Sequence, residues 1–131
     1  MPYLLDADWA INALAGRTET VTALTRLAPE GIAISLVTVA ELYEGAFGSR
    51  DPERHLRTLR SFLGPFARLN LNDPIAERFA QVRSLLRGRG ELIPDFDILV
   101  GATALHYDLT VLTDNVRHLG RIPGLRVYRR A

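Results

Sequence analysis

Lysine and cysteine are both absent from this sequence of 131 residues, and its sixteen basic side chains are all arginine. Without lysine, the chain cannot form the Schiff bases of lysine-dependent enzymes or the lysine contacts of Walker-type phosphate loops. Without cysteine, it cannot form disulfides, use a thiol nucleophile or bind zinc through thiolates. These two absences exclude several large classes of enzyme.

Long apolar segments and a strong excess of charge are also lacking. No apolar run approaches the roughly 20 residues that span a bilayer, and the opening Met-Pro-Tyr-Leu-Leu-Asp lacks both the charged and the apolar region of a signal peptide. Sixteen arginines against fifteen acidic residues leave a net charge of +1, so no overall field draws the chain to nucleic acid. We therefore expect one domain over residues 1–131, located in the cytoplasm and without a membrane partner.

Short apolar runs alternate with amphipathic segments along the whole chain. This alternation predicts an α/β fold in which a short, central, mostly parallel sheet has helices on both faces, giving three α/β/α layers. In such sheets, ligands bind beyond the carboxyl ends of the strands. The predicted strands are Tyr3–Leu5, Ile32–Val37, Ala67–Leu71, Thr110–Thr113 and Leu125–Tyr128.

Acidic residues fall at this predicted edge of the sheet. Asp6 follows the first strand and Asp114 follows the strand at Thr110–Thr113. Glu41 lies one helical turn after the second strand, and Asp97 begins the helix that leads into the Asp114 strand, with Asp95 two residues earlier. We therefore expect Asp6, Glu41, Asp97 and Asp114 to meet in one pocket.

Four carboxylates in one pocket repel each other, and some would have to take up protons if left alone. A hard divalent cation relieves this repulsion, and ligands that are all oxygen atoms suit Mg²⁺ or Mn²⁺. Such a cation can lower the pKa of a bound water and stabilise charge on a phosphodiester. The pattern therefore predicts a metal site for phosphodiester chemistry, for which lysine is not needed.

Each acidic residue also has a purely structural interpretation. A carboxylate that follows a strand or precedes a helix often accepts hydrogen bonds from free backbone amides. On this interpretation, Asp6 or Asp8 caps the first helix, Glu41 forms a capping box with Thr38, Asp95 or Asp97 caps its own helix, and Asp114 starts a turn with Asn115.

Four segments, in order, resemble the sequence blocks of a known family, the PIN-domain ribonucleases, and particularly the VapC-type toxins of toxin–antitoxin modules. The match covers essentially the whole chain, and a final stretch from Arg117-His118 to Tyr128 resembles the usual tail of this family. The four segments are Tyr-Leu-Leu-Asp6-Ala-Asp8, Ser35-Leu-Val-Thr-Val-Ala-Glu41-Leu-Tyr-Glu-Gly45, Asp95-Phe-Asp97-Ile-Leu-Val-Gly-Ala-Thr-Ala and Leu109-Thr-Val-Leu-Thr113-Asp114-Asn115.

The resemblance implies a set of metal ligands. Asp6, Glu41 and Asp97 would be the core of the catalytic site, with Asp114 as a fourth acidic member, and Glu41 and Asp114 would reach the metal directly or through water. Thr113 would be a supporting residue whose hydroxyl orients a carboxylate or a water. The family often has Thr-Asn after the first aspartate, whereas this chain has an alanine and then Asp8, which adds a carboxylate that can reach the metal through water.

The resemblance also implies an activity and its partners. We expect a Mg²⁺- or Mn²⁺-dependent endoribonuclease toxin that hydrolyses RNA, is held inactive by a cognate antitoxin and forms a homodimer. The alternative is a non-catalytic RNA- or protein-binding module on the same fold. A metal titration separates the two, because only the enzyme should be stabilised by Mn²⁺.

Other polar and aromatic residues have weaker signals. Arg50, Arg54 and Arg57 could lie on one helical face and bind RNA phosphates, or form a solvated face paired with Asp51 and Glu53. Trp9 could stack a base of single-stranded RNA, but a position in the core or in dimer packing is the stronger expectation. The histidines lie far apart without the spacing of metal ligands, so we expect surface or packing roles for them: His55, His106 and His118.

Overall fold

The structure is a computed structural model, and it describes residues 2–129. No helix among these residues is long and apolar enough to cross a membrane. The strands are β1 (Tyr3–Leu5), β2 (Ile32–Ser35), β3 (Ala67–Leu69), β4 (Thr110–Leu112) and β5 (Arg126–Val127). The α helices are α1 (Ala7–Leu14), α2 (Thr18–Leu27), α3 (Leu36–Phe47), α4 (Pro52–Leu63), α5 (Asp73–Gly88), α6 (Asp95–Tyr107) and α7 (Val116–Leu119).

The five strands form one sheet in the order β3-β2-β1-β4-β5, and every described pairing is parallel. Leu5 of the central strand β1 lies opposite Ile34 on one side and Leu112 on the other. The next residues along these three strands therefore come level at the carboxyl edge of the sheet. The predicted parallel sheet is confirmed.

The two faces of the sheet carry different sets of helices, because successive strand residues point to opposite sides. Leu5, Ile34 and Leu112 pack on one face in a core shared with α1, α2, α3 and α4. Leu4 and Val111 pack on the other face against α6, and a further cluster joins α5, α6 and α7. The predicted three-layer α/β/α architecture is confirmed.

Of the two capping interpretations for the first helix, the one with Asp6 is confirmed, whereas the capping box of Thr38 and Glu41 is wrong. The backbone amide of Ala7 donates to the Asp6 carboxylate at 2.9 Å, so Asp6 rather than Asp8 caps α1. The amide of Val37 donates to the Ser35 hydroxyl at 3.1 Å, so Ser35 rather than Thr38 caps α3, which begins at Leu36. Glu41 then lies in the second turn of α3, where its carboxylate is not needed for capping.

Helix α6 begins directly after Pro94, and no side chain caps it. Asp95 and Asp97 both lie in its first turn, so neither acts as the cap. Negative charge in a first turn is favoured by the helix dipole, which offsets part of the repulsion that Asp97 meets from other carboxylates.

Candidate metal centre

Asp6 is the most buried carboxylate of the described chain, with 6% of its surface exposed. Its Oδ2 atom accepts a hydrogen bond from the hydroxyl of Thr113 at 2.8 Å, which links the ends of β1 and β4. The pKa of Asp6 is raised to about 6, mainly by burial; the bonds from Thr113 and Ala7 oppose this rise, and the charges of Asp8 and Asp97 add to it. A charge on Asp6 is therefore costly without a cation.

Glu41 faces the same group of charges from α3. Burial raises its pKa to about 7, and the next causes, in order, are repulsion from Asp6, from Asp97 and from Glu44. Asp6, Glu41 and Asp97 thus interact electrostatically although they come from three separate parts of the sequence. These are the residues that the sequence predicted as the core ligands.

Asp97 is held by two side chains that the sequence did not predict as part of the site. The Nδ1 atom of His118 lies 3.1 Å from Asp97 Oδ2, and the amide nitrogen of Asn115 lies 3.3 Å from the same oxygen. His118 was expected in a surface or packing role. A signal was present, because Asn115 and His118 are three residues apart, a helical spacing, directly after the strand that ends at the site.

Asp8 adds a fourth carboxylate to the edge of the group. Its Oδ2 atom accepts from the backbone amide of Asp114 at 2.9 Å and lies 3.2 Å from the Thr113 hydroxyl. Burial raises the pKa of Asp8. Since the Thr113 hydroxyl has a single hydrogen and lies closer to Asp6, Asp8 is held mainly by backbone amides, and it fixes the turn that follows β4.

Asp114 faces α1. Its Oδ1 atom accepts from the indole nitrogen of Trp9 at 3.0 Å, and Trp9 is fully buried in the core formed with α1 to α4. The expected core position of Trp9 is thereby confirmed, and stacking of a base on this ring is not possible in this arrangement. Asp114 therefore joins the turn after β4 to the core.

Asp95 is placed differently from the other predicted residues. Its carboxylate accepts from Arg83 Nε at 2.9 Å, and 58% of its side chain is exposed. Most of the predicted site residues therefore lie together in one group. Asp95 lies outside that group and pairs with Arg83 of α5. The members of that group are Asp6, Asp8, Glu41, Asp97, Thr113 and Asp114.

The donor set fits a hard divalent cation. Asp6, Glu41 and Asp97 offer only oxygen atoms. Repulsion from Asp6 and Asp97 raises the pKa of Glu41, and repulsion from Asp97 raises that of Asp6, which a cation would relieve. Within residues 2–129, no three acidic or imidazole side chains are already arranged to hold an ion. Asp6 and Asp97 accept hydrogen bonds from Thr113, Asn115 and His118, and in each case the bond falls on Oδ2.

A groove of about 880 Å³ lies beside Glu41, between α1, α3 and α4. Its lining is mostly apolar and includes two large exposed side chains, Ile11 and Phe96. Arg54 and His55 of α4 lie at the same groove. The site therefore opens onto a surface that has both apolar and basic groups.

Comparison with known proteins agrees with this fold. The profile of the PIN domain family matches residues 3–125, and the chain belongs to this family. The predicted resemblance to PIN-domain ribonucleases of the VapC type is confirmed. Nucleases of this family generally depend on a divalent metal.

Relatives match over nearly their full length. The chain is 28% identical over 127 residues to the tRNA(fMet)-specific endonuclease VapC of Salmonella typhimurium, covering 97% of this chain and 96% of that protein. It is 29% identical over 126 residues to ribonuclease VapC2 of Haemophilus influenzae, covering 96% of each.

Two solved structures of similar proteins superpose closely. One is VapBC2 of Rickettsia felis bound to a DNA fragment of its promoter, with a TM-score of 0.93 and 26% identity; the match covers 100% of this chain and 100% of the matched chain. The other is DNA-bound VapBC of Salmonella typhimurium, with a TM-score of 0.91, 28% identity and coverage of 98% of this chain and 97% of that chain.

Proposed function

We propose that this chain is a Mg²⁺- or Mn²⁺-dependent endoribonuclease toxin of a toxin–antitoxin system, acting in the cytoplasm. The observation that carries the proposal is the mutual repulsion of Asp6, Glu41 and Asp97 at the carboxyl edge of the sheet. Such a group of carboxylates repels RNA unless a cation is bound. The family match and the named ribonuclease relatives support hydrolysis of RNA as the reaction.

The roles of the site residues follow from their contacts. Asp6 and Asp97 would bind the metal directly, and Glu41 directly or through water, while the Thr113 hydroxyl keeps Asp6 in place. A bound divalent cation supplies positive charge that offsets charge on the phosphodiester and activates water for attack. Asp8 and Asp114 hold the turn after β4, and either could reach the metal only through water.

A protein partner is part of the proposal. The similar VapBC structures contain toxin and antitoxin together, and the groove beside Glu41 exposes apolar side chains that a protein segment could cover. We propose a cognate antitoxin at this surface, where it would block access to Glu41. We also propose a homodimer, to which Phe47, with 64% of its surface exposed, could contribute.

Cleavage of cellular RNA by the purified, antitoxin-free protein tests the proposal. We expect discrete new RNA ends with Mn²⁺ or Mg²⁺ and none with chelator. Asp6→Asn and Glu41→Gln should reduce cleavage by about 10²-fold or more, because each removes a charge that holds the metal. Glu77→Gln, an equivalent change on the exposed surface of α5, should cleave as the wild type does.

The outcomes separate the enzyme from the non-catalytic module. Metal-dependent ends that disappear in Asp6→Asn support the nuclease. Cleavage at the wild-type rate by Asp6→Asn would contradict the assignment of the site. Binding of RNA without cleavage, by wild-type protein that is folded and saturated with metal, would instead support an RNA-binding module.

A further inference from the structure

Both side-chain hydrogen bonds to Asp97 fall on one of its two oxygens. His118 Nδ1 and Asn115 Nδ2 lie 3.1 Å and 3.3 Å from Oδ2. Asp97 is in the first turn of α6, whereas Asn115 and His118 are at the start and in the last turn of α7. Two separate parts of the chain therefore converge on a single carboxylate oxygen.

The chemistry of the groups defines the direction of both bonds. An ionised carboxylate oxygen only accepts, so the hydrogen must lie on Nδ1 of His118 and on the amide nitrogen of Asn115. The Asn115 nitrogen is also 3.2 Å from His118 Nδ1. Because Nδ1 then has no lone pair to offer, this short distance is a consequence of the shared acceptor.

Attachment of α7 to the protein does not need these bonds. Leu119 is fully buried and Ile122 is 2% exposed, and both pack in the cluster shared by α5 and α6. The His118 side chain, by contrast, is 35% exposed. Apolar burial already holds this segment, so the polar contacts to Asp97 have a different use.

We propose that His118 and Asn115 are positioning residues for the metal site, which hold Asp97 by Oδ2 and leave Oδ1 as the oxygen available to the cation. The inference rests on the proposed function. Carboxylates that bind metals are commonly oriented by hydrogen bonds from further residues, and loss of such a partner typically weakens metal binding about 10–100-fold. With Oδ2 restrained, Asp97 loses less side-chain freedom when the cation binds.

A matched set of His118 variants tests whether the site needs a hydrogen-bond donor at the position of Nδ1 or any donor at residue 118. His118→Asn places an amide nitrogen where Nδ1 lies, whereas His118→Gln places it one atom further out, near Nε2. His118→Phe keeps a ring and removes both donors. His106→Phe makes the same change at the other end of α6, away from the carboxylates.

The probe is Mn²⁺, and the readout is its dissociation constant from calorimetry on the full chain, with the melting temperature as a check on folding. We expect His118→Phe and His118→Gln to weaken Mn²⁺ binding about 10–100-fold. His118→Asn should bind Mn²⁺ much more tightly than the Phe and Gln variants, close to the wild-type affinity. His106→Phe should bind Mn²⁺ as the wild type does. The KM for RNA should stay constant in all four, since His118 acts through Asp97.

The possible results lead to distinct conclusions. Unchanged Mn²⁺ affinity in a folded His118→Phe protein would overturn the inference and leave the proposed function intact. Equal losses in the Asn, Gln and Phe variants would also overturn it, because the position of the donor would then be irrelevant. If wild-type protein bound no Mn²⁺, the proposed function would fail and this inference with it.

Discussion

At the scale of single residues, the aspartates of the site differ in what their side chains contact. Asp6 and Asp97 meet other carboxylates and polar donors, whereas Asp114 accepts from the buried indole of Trp9. Asp95 pairs with Arg83 outside the group. The side chains that each aspartate contacts therefore indicate whether it belongs to the proposed metal site or stabilises the fold.

Asp114 provides a test of this distinction. Asp114→Asn keeps an oxygen that can accept from the Trp9 indole, so we expect a change in stability within about 0.5 kcal/mol. Asp114→Ala removes the acceptor from a buried donor and should cost about 1–3 kcal/mol. Urea unfolding, followed by fluorescence of Trp9, the single tryptophan, measures both. Equal stability of the two variants would contradict the framework role.

The sequence alone predicted Asp6, Glu41 and Asp97 together, because each follows from a strand end or a helix start. It did not predict His118, since its contact with Asp97 joins residues 21 positions apart and depends on where α7 packs. Asp95 and Asp97 lie in the same helical turn, and the family resemblance selected Asp97, but the pairing of Asp95 with Arg83 was not predicted. Contacts with side chains of other helices and strands therefore decide which carboxylates belong to the site.

At the scale of elements, the connections between strands and helices are very short. Helix α3 begins directly after β2, with Ser35 as its cap, so the apolar run Ile32–Val37 is divided between a strand and a helix. Its β-branched residues favour strand, and this preference explains why the helix start was predicted too late. The early start places Glu41 in the second turn, near Asp6.

The end of α7 provides the test at this scale. A Cβ atom on Gly120 would lie 2.5 Å from the carbonyl oxygen of Val116, which is backbone and cannot easily yield. We expect Gly120→Ala to cost about 1–3 kcal/mol in urea unfolding and to weaken Mn²⁺ binding by displacing His118.

Gly88→Ala is the matched control, because nothing lies within 4 Å of the added atom at the end of α5. Its stability should be unchanged or up to about 1 kcal/mol higher. Gly120→Ala with the stability and Mn²⁺ affinity of this control would contradict the described packing of α7.

At the scale of the whole molecule, the register of the sheet determines where the site lies. Leu5 lies level with Ile34 and Leu112, so the residues that follow them gather at one edge. The alternation of strands and helices was sufficient to predict this arrangement and the three layers. The sequence could not predict how close the carboxylates lie to one another, because this depends on how α3 and α6 pack against the sheet.

Gathering charge at one edge makes stability depend on pH. The pKa values of Asp6 and Glu41 are raised to about 6 and about 7 in the native state, whereas unfolded carboxyl groups titrate near about 4. Between these limits the native state binds more protons, so their contribution to the free energy of unfolding falls as pH rises from about 4 to about 7. Above that range their contribution is constant.

Urea unfolding in chelator at pH 5 and pH 7.5 measures this effect. Wild-type protein should lose more stability between the two values than Glu41→Gln, which no longer titrates at this position. Added Mn²⁺ at 100 times its dissociation constant should raise the stability of the wild type at pH 7.5 by about 2.7 kcal/mol. Identical pH dependence in wild type and Glu41→Gln would contradict the raised pKa of Glu41.

Direct binding of Mn²⁺ is the measurement that tests the central claim, because that claim is that Asp6, Glu41 and Asp97 together hold a cation. Calorimetry should show saturable binding to the wild type and a loss of at least about 10-fold in affinity in Asp6→Asn and in Asp97→Asn, with Glu77→Gln unaffected. Saturable binding of equal affinity in the wild type and both aspartate variants would contradict a metal centre at this edge of the sheet.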